Sequence, residues 1–266
     1  MSVNISRILT NGKTVILAYD QGLEHGPADF NLQNIDPNYI LDIACKYNAV
    51  ILQPGVAEKY YDNYRRRVPL IVKLNGKTSL NESEPISRQT CSVQRALKMG
   101  AVALGYTVYV GSDFESEMFK EFGKIIEEAH DHGIPVIGWM YPRGHSVKDP
   151  NSTATIAHAT RAGLELGADF VKIHYNGDLE GFKWIVKAAG RTKVLVAGGQ
   201  KLPDKEMLQR AAEVMQAGAA GVAVGRGVWQ HEKPLLITQA LRDVVLQGKS
   251  VEEAIKPLVP DTASQI

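Results

Sequence analysis

Apolar residues come in short runs along this chain, each too short for a helix and each bounded by Gly, Pro, Asn or Asp. Eight runs stand out: Val15–Asp20 (VILAYD), Ala49–Gln53 (AVILQ), Leu70–Leu74 (LIVKL), Ala101–Tyr106 (AVALGY), Pro135–Met140 (PVIGWM), Asp169–His174 (DFVKIH), Lys193–Ala197 (KVLVA) and Gly221–Gly225 (GVAVG). Between most of them the pattern changes to amphipathic helical spacing, over Asn38–Lys46, Ser92–Met99, Glu115–His130, Thr153–Leu166, Leu179–Ala188 and Asp204–Ala217. Alternation of strand and helix predicts a parallel sheet, because parallel neighbours need a crossover. Three of the helices run into a glycine before the next strand, at Gly100, Gly167 and Gly218, where a left-handed residue stops a helix.

Eight such units over about 250 residues is the usual size of a (β/α)8 barrel. A doubly wound open sheet is the rival, but it would carry GxGxxG after the first strand, where this chain has Asp20-Gln21-Gly22. The expected fold class is therefore α/β, a single-domain TIM barrel spanning residues 1–266, with about 257–266 (PLVPDTASQI) as a loosely held C-terminal tail.

Composition narrows the function classes. Hydrophobic residues make up 44% and charged residues 22%, which excludes a disordered chain. With 30 basic against 29 acidic residues the net charge is +1, so there is no electrostatic footprint for nucleic acid. Cys45 and Cys91 belong to no CxxC pair and read as buried small residues. No run reaches a membrane span and the N-terminus has no secretory apolar core, so a reducing cytoplasm is the expected location and no membrane partner is expected.

In a barrel the chemistry collects at the C-terminal ends of the strands. Those ends carry Asp20, Lys73, Trp139, Tyr141, Lys172, His174, Gly198, Gly199, Gly225 and Arg226. Lys172 shares a face with Phe170 and His174, opposite Val171 and Ile173. If the valine and isoleucine face the helices, the lysine enters the barrel mouth, where desolvation lowers its pKa and frees a nucleophilic amine. A lysine neutralised by a carboxylate for structural reasons is the alternative, and Lys73 has a similar claim to be the interior amine. Tyr141 either exchanges a proton with a substrate or packs with its hydroxyl in water. Asp20 either relays a proton or fixes a turn. Gly198-Gly199 and Gly225-Arg226 form the recurring phosphate cradle of TIM barrels. Lys201 reads as solvated, and His25 as a possible substrate contact. His25, His145, His158 and His174 show no metal-ligand spacing, so no metal and no cofactor are expected.

The segments VILAYDQGLEHGPADF, EKYYD, LIVKLNGKTSL, GYTVYVGS, YPRG, ADFVKIHYNGD, AGGQK and VAVGRGVWQ, in this order, resemble the archaeal-type class I fructose-bisphosphate aldolases of the DeoC/FbaB aldolase superfamily. The resemblance spans nearly the whole chain. It implies that Lys172 forms a Schiff base, that Tyr141 is the principal acid/base with Asp20 assisting, and that Trp139 shapes the site. It also implies that Gly198, Gly199, Gly225 and Arg226 hold a substrate phosphate, that Arg143 and His25 serve the sugar's other end, and that the chain forms a homo-oligomer, often a decamer. The implied activity is metal-independent, reversible cleavage of fructose 1,6-bisphosphate, with a place in glycolysis and gluconeogenesis. Gln200 and Gly227 depart from the family, which often has proline and asparagine there. Rival readings are a related Schiff-base aldolase or transaldolase of another phosphorylated sugar, of aminodeoxyheptulosonate-synthase type, a thiolase-type transfer to coenzyme A, and a barrel that only binds sugar phosphate.

Overall fold

The computed structural model describes residues 3–199 and 201–259. Its eight strands are β1 (Thr14–Tyr19), β2 (Ala49–Leu52), β3 (Leu70–Lys73), β4 (Ala101–Val110), β5 (Val136–Pro142), β6 (Phe170–Ile173), β7 (Lys193–Ala197) and β8 (Gly221–Val224). They follow one another in sequence order around a closed barrel, every neighbour parallel, and β1 pairs with β8. The helices are α1 (Gly22–His25), α2 (Pro37–Ala44), α3 (Pro54–Tyr60), α4 (Val93–Lys98), α5 (Glu115–Asp131), α6 (Thr153–Glu165), α7 (Leu179–Ala188), α8 (Asp204–Gln216), α9 (Arg226–Trp229), α10 (Pro234–Arg242) and α11 (Val251–Ile255).

The period of two along each strand sorts side chains into two apolar layers. Ile16, Ile51, Ile71, Ile137, Phe170 and Leu195 fill the barrel, capped below by Ile8 from a short N-terminal 3-10 turn. Val15, Leu17, Val50, Val72, Val171, Ile173 and Val196 point outward against helix residues such as Ile40, Phe122, Ile156 and Ile185. Local chemistry fixes the helix ends. Asp36, Ser92, Ser152 and Asp178 each accept a backbone N–H of the helix that follows, and Ser250 forms a capping box with Glu253. Gly100, Gly167 and Gly218 close their helices at φ of 89°, 94° and 95°.

Two differences from the sequence pattern matter for the site. Strand β4 runs four residues beyond Tyr106, because Thr107–Val110 pair with Trp139–Pro142 of β5, and Thr107 is held besides by the buried Asn75 side chain. Its Oδ1 accepts Thr107 N–H at 2.8 Å, and its Nδ2 donates to the carbonyls of Ser87 and Thr107 at 2.9 Å each. At the C-terminus, Lys256–Leu258 form a 3-10 turn that buries Leu258, so the start of the expected tail packs on the barrel. Residues 260–266 lie outside the described residues. No described helix is long and apolar enough to cross a membrane.

Candidate active site

A cavity opens at the C-terminal ends of the strands, and the residues singled out from sequence meet in its wall. Asp20, His25, Lys73, Trp139, Tyr141, Arg143, Lys172, His174, Gly198, Gly199, Gly225 and Arg226 all line it. Lys201 is exposed and stands outside it, and Gln200 lies outside the described residues.

Val171 and Ile173 belong to the sheet–helix layer and Phe170 to the barrel interior, so Lys172 enters the mouth from β6. Lys73 enters from β3, and each lysine is only 6% exposed. Both ammonium groups lie over the Trp139 indole, Lys172 at 4.9 Å and Lys73 at 5.0 Å from a ring centroid. The indole lies across Gly105, the register partner of Lys73, and a Cβ at Gly105 would overlap it. Glycine is required there by the close approach of a ring.

The two lysines differ in their counter-charge. Lys73 Nζ stands 3.6 Å from Asp20 Oδ2, whereas Lys172 has no carboxylate at ion-pair distance among the described residues. Burial lowers the Lys172 pKa to about 8, the Lys73 charge pushes it the same way, and Asp20 and Glu24 oppose. Burial also lowers Lys73, but its contact with Asp20 works against that. Lys172 is thus the buried amine with no ion pair among the described residues to hold its proton.

Tyr141 lies two residues beyond Trp139, on the same face of β5. Its ring stacks on His174, with centroids 4.7 Å apart and planes 19° apart. Burial and the nearby Asp20 charge raise the phenol well above its ordinary range. Burial, together with Lys172 and Arg143, pushes His174 down to about 4, so this imidazole is neutral at physiological pH. The Arg143 guanidinium lies 5.6 Å from the rings of both Tyr109 and Tyr141.

One segment after β1 supplies three carboxylates, each facing a cation from another strand end. Asp20 faces Lys73 at 3.6 Å, Glu24 faces Arg143 at 3.3 Å, and Asp29 faces Arg226 at 3.5 Å. His25 Nδ1 is bonded to Asp29 at 2.6 Å. The sequence reading grouped His25 with Arg143; the structure groups it with Arg226, through a shared carboxylate.

Backbone geometry sets two of these glycines. Gly199 takes φ +65°, and a Cβ on Gly225 would sit 2.8 Å from the Ala18 carbonyl oxygen of β1. At Gly227, a Cβ would meet the Met207 sulfur at 3.0 Å, so α9 lies close against α8 at this position.

Sequence reasoning missed Glu24, Asp29, Thr107 and Tyr109. Thr107 and Tyr109 line the cavity from the part of β4 that lay beyond the expected strand end; the alternation in YTVYV was the available signal. It also missed a cluster of Glu84, Asp113 and His145, whose ligating atoms lie within 4.8 Å of one another. There the Glu84 oxygens accept the N–H groups of Asp113 and His145, both at 3.1 Å, so this carboxylate clamps the loops after β4 and β5.

Comparison with known proteins accords with this geometry. Residues 14–231 match the DeoC/LacD family aldolase model. The chain is 47% identical over 249 residues to the class 1 fructose-bisphosphate aldolase of Thermoproteus tenax, covering 92% of this chain and 94% of that protein. A crystal structure of an archaeal fructose 1,6-bisphosphate aldolase superposes with a TM-score of 0.87 at 47% identity, covering 91% of this chain and 97% of that one. A second structure of an archaeal fructose-1,6-bisphosphate aldolase, with the catalytic lysine covalently bound to the carbinolamine intermediate of the substrate, gives 0.86 at 46% identity over 90% and 96% of the two chains. With a family match across most of its length and an eight-stranded barrel to carry it, this chain belongs to the DeoC/LacD family of aldolases.

Proposed function

We propose that this protein is a class I, metal-independent aldolase that reversibly cleaves fructose 1,6-bisphosphate to dihydroxyacetone phosphate and glyceraldehyde 3-phosphate. The observation that carries the proposal is Lys172: a buried amine in the barrel mouth, without a carboxylate partner among the described residues and with its pKa lowered to about 8, beside a buried phenol. Its likeness to aldolases at 46–47% identity supports the same substrate.

The neutral Lys172 amine attacks C2 of the open-chain ketose and forms a carbinolamine. The Tyr141 phenol, kept protonated by burial, gives its proton to the C2 hydroxyl, which leaves as water. An iminium and a phenolate result. The phenolate takes the C4 hydroxyl proton, the C3–C4 bond breaks with its electron pair moving into the iminium, and glyceraldehyde 3-phosphate departs from a neutral enamine. Tyr141 then protonates C3 of the enamine, and hydrolysis of the regenerated iminium releases dihydroxyacetone phosphate and Lys172. Asp20, beside Lys73, assists the proton transfers. Trp139 shapes the wall against which the two lysines stand, and Gly198, Gly199, Gly225 and Arg226 receive a phosphate. Arg143 serves the opposite end of the sugar.

No divalent ion is required, because the iminium accepts the electrons that a bound metal would otherwise stabilise. The protein acts in the cytoplasm, in glycolysis and gluconeogenesis, as a homo-oligomer, a decamer by family resemblance. The exposed Leu32, Leu80 and Trp184 are candidates for burial between subunits.

Borohydride reduction in the presence of dihydroxyacetone phosphate and EDTA, followed by peptide mass spectrometry and a cleavage assay, tests the proposal. The expected result is an adduct on Lys172 with cleavage that survives EDTA. An adduct on Lys73, or none, rejects the nucleophile; an adduct on Lys172 without cleavage of fructose 1,6-bisphosphate rejects the substrate.

A further inference from the structure

We infer that Asp29 is a positioning residue for the phosphate end of the cavity, setting the Arg226 guanidinium and the His25 imidazole from behind. This rests on the proposed phosphate-binding role of Arg226.

Asp29 follows α1 in a 3-10 turn, Gly26–Asp29. Its two carboxylate oxygens are divided between two cavity residues: Oδ2 bonds His25 Nδ1 at 2.6 Å, and Oδ1 stands 3.5 Å from Arg226 Nη1. His25 and Arg226 line the cavity and Asp29 does not. Its side chain is 19% exposed, less than those of His25 (31%) and Arg226 (26%).

The backbone around Asp29 is fastened to the same strand end that presents Arg226. Gln230 Nε2 donates to the Asp29 carbonyl at 2.6 Å, the Phe30 ring stacks on Trp229 at 5.1 Å, and Asn34 Nδ2 donates to the Trp229 carbonyl at 3.4 Å. The loops after β1 and β8 are therefore joined by several contacts, of which the carboxylate supplies the charged one.

Each contact has a definite effect on its partner. Guanidinium donors lie in one rigid plane, so committing Nη1 to Asp29, with Nη2 at 3.5 Å from the Gly199 carbonyl, fixes where the rest of the fork points. Committing His25 Nδ1 to the carboxylate fixes the orientation of the ring and leaves Nε2 for the cavity. A carboxylate placed this close to an arginine has a second possible effect, competition with phosphate for the same cation. The two effects move phosphate affinity in opposite directions, so a measurement of sign separates them.

The test uses the full-length enzyme with fructose 1,6-bisphosphate as substrate and inorganic phosphate as competitive inhibitor, together with melting temperatures. Asp29→Asn keeps the shape and removes the charge. It is expected to raise KM and the phosphate Ki about tenfold, the size of one charge-assisted hydrogen bond, while kcat stays within about twofold. Asp29→Glu keeps the charge and moves it by one methylene, and it raises the same constants by a smaller factor, about threefold. A structural role alone would lower the melting temperature and the yield of active enzyme without moving Ki. Arg226→Ala is the control for the phosphate site. If Arg226→Ala raises both constants while the Asp29 variants leave them at wild-type values or lower them, the positioning role is overturned and the phosphate site stands. If Arg226→Ala itself leaves both unchanged, the phosphate assignment fails and the inference fails with it.

Discussion

Lys73 Nζ lies 3.6 Å from Asp20 Oδ2, and that single contact separates two otherwise similar buried lysines. Lys172→Met is expected to abolish both borohydride trapping and cleavage, lowering kcat by at least about 10³-fold. Lys73→Met is expected to keep the trapped adduct on Lys172 while slowing turnover. Peptide mass spectrometry on the two variants distinguishes the roles, and trapping that persists in Lys172→Met would reverse them.

The pH dependence of imine formation follows from the same arrangement. The rate of trapping should rise with pH and level off above about 8, as the Lys172 amine loses its proton. Lys73→Met removes a positive charge that lowers Lys172 and frees Asp20, which raises it. The rising limb should therefore move to higher pH in that variant, and an unmoved or acid-shifted limb would contradict the proposed coupling.

Burying Lys172 costs stability, and the sign is testable. Its folded pKa of about 8 lies below the ordinary value of 10.5, so the unfolded chain binds more protons between those values. The wild type should thus gain stability relative to Lys172→Met as pH rises from 8 to 10.5. Near pH 7, where the burial penalty is fully present, Lys172→Met should be the more stable protein by about 1–3 kcal/mol in urea unfolding.

His174 carries a related expectation at acid pH. Its folded pKa of about 4 lies below 6.5, so its contribution is present above 6.5 and is lost as pH falls toward 4. His174→Phe keeps a ring against Tyr141 and should remove this part of the acid destabilisation while retaining most activity. His174→Ala leaves the phenol without its stacked partner and should lower kcat by about tenfold. Equal kcat in the two variants would dismiss the stacking role.

Gly105→Ala places a methyl where the Trp139 indole lies. The cost should be about 1–3 kcal/mol of stability, with a loss of activity larger than the loss of folded protein, because the indole that contacts both lysines must move. Circular dichroism melts and active-site titration by borohydride trapping measure the two effects separately.

Much of the barrel was legible because period-two alternation is a local signal. Lys193–Ala197 and Leu179–Ala188 occupy the spans that their patterns predicted, and the inward turn of Lys172 follows from its two apolar neighbours alone. β4 was read too short because the reading stopped at Tyr106, although the alternation in YTVYV runs on to Val110, where the strand still pairs with β5. The counter-charges were illegible for a different reason. Glu24 and Arg143 are 119 residues apart, and only closure of the barrel brings them together. His25 and Asp29, by contrast, are four residues apart, a spacing that was readable once the turn at α1 was in view.

The acidic segment after β1 also affects how the substrate arrives. Asp20, Glu24 and Asp29 stand against Lys73, Arg143 and Arg226, while Lys77 and Lys172 line the mouth with no carboxylate at ion-pair distance among the described residues, so the mouth keeps an excess of basic groups. A doubly phosphorylated sugar is therefore drawn toward these unpaired basic groups, and diffusional capture should slow as ionic strength rises. Discrimination for the anion arises at contact, where phosphate meets donors whose directions the protein has already set.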